Sequence, residues 1–245
     1  MQAFHNDIAI KAKYIARVLA HAEADQIIHG KYWEHGKGCA VGCTIHGSDH
    51  MAYEREGIAP VMLARLEDSL FEGMTNGRAK QFPLQFLSAI KVGADLSLVG
   101  WKFLHWLLTE ELVGRDDPRV AAIIKRCADA LAPLTKGDPA DVDEVRTAAY
   151  AAYALNTYAA ASAAGAASYA AYAAAYAAHA LNAAAYAADA AYAASAASAA
   201  AYAANAAGAA GITRSEACER MADKLLALMW ECEGQEPIVA MGVMI

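Results

Sequence analysis

Most side chains able to do chemistry sit in one stretch, His35 to His50, which reads HGKGCAVGCTIHGSDH. It carries Cys39, Cys43, His46, Asp49 and His50 among glycines at 36, 38, 42 and 47. Three chemistries fit these types. The first is a metal centre. Cys39, Cys43, His46 and His50 form a Cys-x3-Cys-x2-His-x3-His series, close to zinc-site spacing, and thiolate and imidazole are donors that zinc takes. One straight helix would spread the four over about 16 Å, whereas donors must lie about 2.0–2.3 Å from a single ion. Only a wrapped loop could gather Cys39, Cys43 and His46 or His50, and the glycines favour such a loop.

The second chemistry is nucleophilic. Cys39 or Cys43 would lose its proton to His46 or His50, with Asp49 orienting the imidazole. Partners of a catalytic thiol usually come from separate segments, and His105 and Glu34 are also available. The third reading needs no ligand: glycine and small thiols allow close chain packing, with histidines closing the turn. GxSxG, HExxH and a glycine-rich phosphate loop are all absent from the sequence.

The elements that must position this stretch read as helices. Ile8, Lys11, Ile15, Val18, Leu19 and Ala22 mark one helical face, with Lys11 at its edge. PVMLARLEDSLFEGM places Pro60 in a first turn, apolar residues at 62, 63, 66, 70 and 71, and Gly73 as a stop. FPLQFLSAIKVGADL, LVGWKFLHWLLTEELVG and DDPRVAAIIKRCADALAPL add three more. Strict strand alternation is absent, so the fold class is all-α.

Composition divides the chain in three. Residues 1–146 have ordinary globular composition. Residues 147–211 carry a single Asp/Glu/Lys/Arg side chain, Asp189, and 40 of the 63 residues from Ala148 to Ala210 are alanine. Nine of the twelve tyrosines also fall there. Residues 212–245 return to ordinary composition, with a helix capped by Thr213 or Ser215 and an apolar stripe at Met221, Leu225, Leu228 and Met229. In the middle region a larger or polar residue follows each alanine pair at about 3.3-residue steps, against about 3.6 per α-helical turn. Such a stripe winds around a straight helix, which suggests shorter helices restarting at Gly165 and near Leu181. Alanine strongly favours helix, and so uncharged a surface needs a cover. The array is expected to pack on itself, on the first region or on a second copy as a homo-oligomer. Alternatively Tyr172, Tyr176, Tyr186 and Tyr192 form a recognition surface for a protein partner.

The stretch KGCAVGCTIHGSDHMAYEREGI resembles one in uncharacterised bacterial and phage proteins that end in similar alanine arrays. The segment from DDPRVAAIIKRCADAL through the array resembles the predicted immunity proteins of bacterial toxin systems. Neither resemblance transfers a catalytic residue. The second implies a role in bacterial toxin immunity; that the protein acts by occupying a partner is read from the array's uncharged, tyrosine-bearing surface and the lack of a dispersed catalytic set.

The totals narrow the classes. A net charge of −7 argues against nucleic acid, whose binding needs a basic face. A run of eighteen strongly apolar residues is missing, so a membrane span is not expected. The opening MQAFHNDIAIKAKYIARVLA reads as an amphipathic helix rather than a signal peptide. Five cysteines without a disulfide framework imply reduced thiols and a cytoplasmic location. The functional expectation is therefore a binding protein in toxin immunity or phage–host conflict. An enzyme with a Cys/His site, with or without zinc, is the alternative, and an ice-binding alanine helix a further one.

Overall fold

The computed structural model of the chain describes residues 1–112, 117–161, 173–174, 176–177, 179–180 and 189–235. Their architecture is all-α, with a single two-residue hairpin. Among the described residues the helices with defined bounds are α1 (Ile8–Glu23), α2 (Ala40–Ile45), α3 (Ala52–Arg55), α4 (Val61–Phe71), α5 (Asn76–Ala89), α6 (Val99–Trp106), α7 (Pro118–Leu131), α8 (Val142–Ala161), α9 (Asp189–Ala209) and α10 (Arg214–Trp230). Among the described residues no helix is long and apolar enough to cross a membrane.

Local chemistry sets many of the boundaries. Asp7 caps α1 by accepting from the Ala9 amide at 2.8 Å. Asp117 caps α7 in the same way through Arg119, with Pro118 in the first turn. Thr213 and Glu216 form a reciprocal capping box at the start of α10. FPLQFLSAIKVGADL is helical only as far as Ala89, and that helix begins earlier, at Asn76. The helix LVGWKFLHW passes into a π-turn at Leu107–Glu111.

Helix α4 is the axis of the core. Val61, Met62, Leu63, Ala64, Leu66, Glu67, Leu70 and Phe71 are all buried, so it is covered on nearly every side. Its end at Gly73 is a contact requirement. A Cβ there would stand 2.3 Å from the Cys218 Sγ of α10. The alanine helix α9 packs along α4, and Ser69 Oγ donates to the Ala197 carbonyl at 3.1 Å. The face that α9 buries is alanine itself: Ala196, Ala199, Ala200, Ala203, Ala204 and Ala207 are 4 % exposed or less. Ser195, Ser198, Tyr202 and Asn205, the larger residues of the repeat, lie at its half-buried border. With only methyl groups between them, two helix backbones can approach closely and satisfy dispersion over a long contact. The restart points expected at Gly165 and Leu181 lie outside the described residues.

Helix α8 covers α7 through Val145, Ala148, Ala149 and Ala152. A two-bond ion pair from Arg126 to Glu144, at 2.7 and 3.0 Å, closes the edge of that contact. Lys11 departs from the expectation of a helix edge. It is 3 % exposed, and its Nζ donates to the carbonyls of Ser88 and Ile90 at 3.0 and 2.6 Å, serving the carbonyls at the end of α5. Burial lowers its amine to about 8.

Candidate functional site

The cysteine–histidine stretch wraps as a hairpin followed by a short helix. Trp33–Glu34 pairs antiparallel with Lys37–Gly38 across a turn whose residues His35 and Gly36 have φ of 51° and 80°. Cys39 then caps α2, its Sγ accepting from the Gly42 amide at 3.5 Å. Its own amide donates to the Lys31 carbonyl at 2.7 Å, which ties the cap to the strand before it. Two of the glycines are there because another backbone passes against them. A Cβ at Gly42 would stand 1.4 Å from the Tyr32 carbonyl oxygen, and one at Gly38 would stand 2.1 Å from it. Helix α2 ends at His46, which takes the left-handed conformation at φ 54°.

The four spaced residues of the metal pattern go to separate environments. Cys43 points inward and donates to the carbonyls of Gly38 and Gln26 at 3.3 and 3.7 Å. His46 faces outward, its Nε2 2.8 Å from His21 Nε2. Burial, with Arg17 and His21 beside it, holds His46 below the ordinary imidazole range. His50 is 1 % exposed and contacts Asp68, Nε2 to Oδ2, at 3.1 Å. Asp49 lies at the surface, where it accepts from the Met51 amide and pairs with Arg55 at 2.6 Å. Glu34 pairs with Lys31, and His105 belongs to α6, lining a groove with Leu108 and Ile124.

Cys39 instead meets two carboxylates of α4 and its cap. Its Sγ, an oxygen of Asp68 and an oxygen of Glu72 all lie within 4.8 Å of one another. Asp68 and Glu72 are four residues apart and so share one helix face. Both Glu72 oxygens accept from the Gly30 amide, at 3.0 and 2.9 Å. Gly30, Lys31, Tyr32, Asp68 and Glu72 line a cavity of about 170 Å³. The Tyr32 ring stands edge-on to His50, with centroids 5.4 Å apart.

The electrostatics fit a crowded, partly desolvated anionic centre. Burial, and after it the charge of Asp68, pushes the Cys39 thiol far above its usual range, while the Gly42 amide opposes the shift. Burial raises Glu72, and Asp68 adds to the shift. Tyr32 is raised by the same two causes. Burial also raises Cys43 to about 11, Cys127 to about 12 and Cys218 to about 11. All five cysteines are free. The group that bears on Cys39 is therefore Asp68, with His50 behind it. That order differs from the thiol–imidazole–carboxylate order of an activated cysteine, in which the imidazole stands next to the sulfur.

Two buried polar atoms beside this centre, His50 Nδ1 and Arg65 Nε, have no hydrogen-bond partner among the described residues. Buried groups left unpaired are uncommon and call for a functional or structural explanation. A second buried pair adjoins them. Tyr53 Oη donates to Glu67 Oε2 at 2.6 Å, both side chains being fully enclosed. Burial raises Glu67 to about 8, Tyr53 opposing the shift and Asp68 adding to it.

Among the described residues, Cys39, Asp68 and Glu72 are the donors that could together hold a metal ion. Sequence reasoning found Cys39 but missed Asp68 and Glu72, which lie in a helix recognised only by its apolar stripe. Two acidic residues four apart at the end of an amphipathic helix are ordinary solvated surface in sequence, so nothing in LEDSLFEG marks the pair.

Of the array tyrosines, Tyr176 is half-buried and stacks on Tyr202, with centroids 5.2 Å apart and planes 10° apart. Tyr172 and Tyr186 lie outside the described residues, and Tyr192 is described only as a backbone position in α9. No protein-family model matches the chain, and no curated protein or solved structure is significantly similar to it.

Proposed function

We propose that this protein is a metal-dependent hydrolase whose zinc ion is held by Cys39, Asp68 and Glu72. The observation that carries the reading is the meeting of these three donors within 4.8 Å, two of them in the wall of a cavity of about 170 Å³. Bound there, the ion would supply a Lewis acid and lower the pKa of a water molecule. The chain's residues do the rest. Gly30 fixes the Glu72 carboxylate through its amide, and His50 orients Asp68 from behind, as outer partners of metal ligands do. Tyr32 and Lys31 frame a mouth that admits a substrate group of a few heavy atoms.

The test is elemental analysis of the purified chain together with hydrolysis of small activated esters and phosphoesters before and after chelation. About one equivalent of zinc is expected, with activity that falls on chelation and returns with zinc. Cys39→Ser and Asp68→Asn should lose the metal, while Cys43→Ser should keep it. Equal zinc content in wild type, Cys39→Ser and Asp68→Asn would overturn the reading.

A second reading, a protein that acts by occupying a partner, is favoured by Tyr150. This tyrosine of α8 is 68 % exposed, and exposed aromatic rings are typical anchors of binding surfaces. Tyr150→Ala should then leave thermal stability unchanged while weakening a captured partner at least tenfold. Capture that is indifferent to the substitution would remove this reading.

A further inference from the structure

The outward face of the same stretch carries three rings that belong to three elements. His21 stands in the last turn of α1, His46 is the left-handed cap of α2, and Trp33 opens the hairpin. The two imidazoles meet end to end, Nε2 to Nε2 at 2.8 Å with centroids 5.0 Å apart, in a hydrogen bond between rings. Gln26 Oε1 lies 2.6 Å from His21 Nδ1. A carboxamide oxygen only accepts, so in the neutral pair His21 Nδ1 carries the proton, His21 Nε2 offers its lone pair and His46 Nε2–H donates. The Trp33 indole lies flat on the His46 ring, with centroids 4.4 Å apart and planes 16° apart, and meets His21 edge-on at 5.2 Å. The rings thereby join α1, α2 and the hairpin at one point. The segment they hold carries Cys39 and, through Lys31 and Tyr32, walls the cavity.

Such a bond survives one extra proton and fails with two. With one, either ring donates its Nε2–H to the lone pair of the other, and the Trp33 face favours a single cation on His46. With two, both Nε2 atoms carry hydrogens that point at each other, and two like charges stand side by side. Among the described residues the histidines paired with carboxylates are His35 and His50, so no anion offsets the second charge. Arg17 of α1, whose guanidinium donates to the Thr44 carbonyl at 2.7 Å, adds a third positive group beside His46. Asp25, just after α1, is engaged by Lys80 of α5, with Lys37 of the hairpin near it. We propose that the His21–His46 bond is an acid-released latch: protonation of both rings parts α1 from the end of α2, frees the Trp33 ring and loosens residues 31–46. Burial, with Arg17 and His21 beside it, holds His46 below the ordinary imidazole range. The bond therefore contributes in full above about pH 6.5, the value of an unfolded chain, and is lost as pH falls through the lower folded value. The latch needs no ion at the Cys39 centre, and in acid it gives the cavity a looser wall.

The test is hydrogen exchange of the full chain, read by mass spectrometry at about pH 7.5 and about pH 4.5, on either side of the ordinary imidazole value. Each rate is divided by the intrinsic rate at that pH. Peptides spanning 31–46 should lose protection at least tenfold in acid, while those of α4 keep theirs. His46→Asn removes one imidazole, and asparagine tolerates the left-handed backbone at this position. His21→Phe keeps a ring against Trp33 and removes the acceptor. Both variants should show at neutral pH the low protection that the wild type reaches only in acid, and should change little between the two pH values. Circular dichroism equal to wild type would show that their helices persist, and the wild-type comparison decides even where a variant fails to fold. Wild-type protection over 31–46 that is the same at both pH values would overturn the inference. So would a loss shared equally by α4, or folded variants that keep the wild-type pH dependence.

Discussion

Glu67 makes stability depend on pH in a direction that can be worked out. Its carboxyl is enclosed in the core and accepts one hydrogen bond, from Tyr53 at 2.6 Å. Burial raises it from 4.5 to about 8. Because the folded-state value lies above the unfolded one, the folded chain retains a proton that the unfolded chain gives up. The associated stability is complete below pH 4.5 and is lost as pH rises through about 8. At about 1.4 kcal/mol per pH unit, the loss between pH 5 and pH 8 is roughly 3–4 kcal/mol. For a chain of this size that is a fall in Tm of roughly 10 °C. Glu67→Gln keeps the shape and an acceptor for Tyr53 but carries no titrating group. Urea melts of both chains at pH 5, 6, 7 and 8 should show the variant within about 1 kcal/mol of wild type at pH 5. At pH 8 it should be more stable by roughly 3 kcal/mol. The difference between the two chains isolates Glu67 from the histidines, which titrate in both. Parallel stability–pH curves would refute the reasoning, because they would mean that the Glu67 proton is not retained on folding.

Gly42→Ala places a Cβ 1.4 Å from the Tyr32 carbonyl oxygen. The crossing of residues 31–32 over α2 must then open, with a loss of more than about 3 kcal/mol in chemical denaturation and of any metal held by Cys39. A stable, metal-replete variant would show that the crossing is not needed. Ala200→Leu overfills the contact of α9 with α4, where Ala200 is 1 % exposed, and should cost about 1–3 kcal/mol in thermal melts. Ala194→Leu, on the exposed side of the same helix, should stay within about 0.5 kcal/mol of wild type. Equal effects at the two positions would contradict the direction in which α9 packs.

The sequence by itself determined the helices and many of their ends. Asp117–Pro118 and Thr213 carry their capping chemistry locally, and the stripe Met221, Leu225, Leu228 and Met229 reads as one face because helical periodicity is a property of neighbours in the chain. It also showed where the chemistry concentrates, since cysteine, histidine and glycine are crowded between positions 35 and 50. What spacing could not decide is which groups share a site. Cys39 and His50 are spaced as if for each other, yet both turn to Asp68 and its helix, while His46 turns to His21. Asp68 and Glu72 were hidden inside an ordinary amphipathic pattern, and Lys11 looked like a helix edge until α5 ended above it. Within one helix, neighbours are set by a fixed rise and rotation per residue. Between helices they are set by how side-chain volumes fill the core. Here the crossing of residues 31–32 over Gly42 and the bare alanine face of α9 on α4 are what hold α4 and α2 where Cys39 can meet two carboxylates.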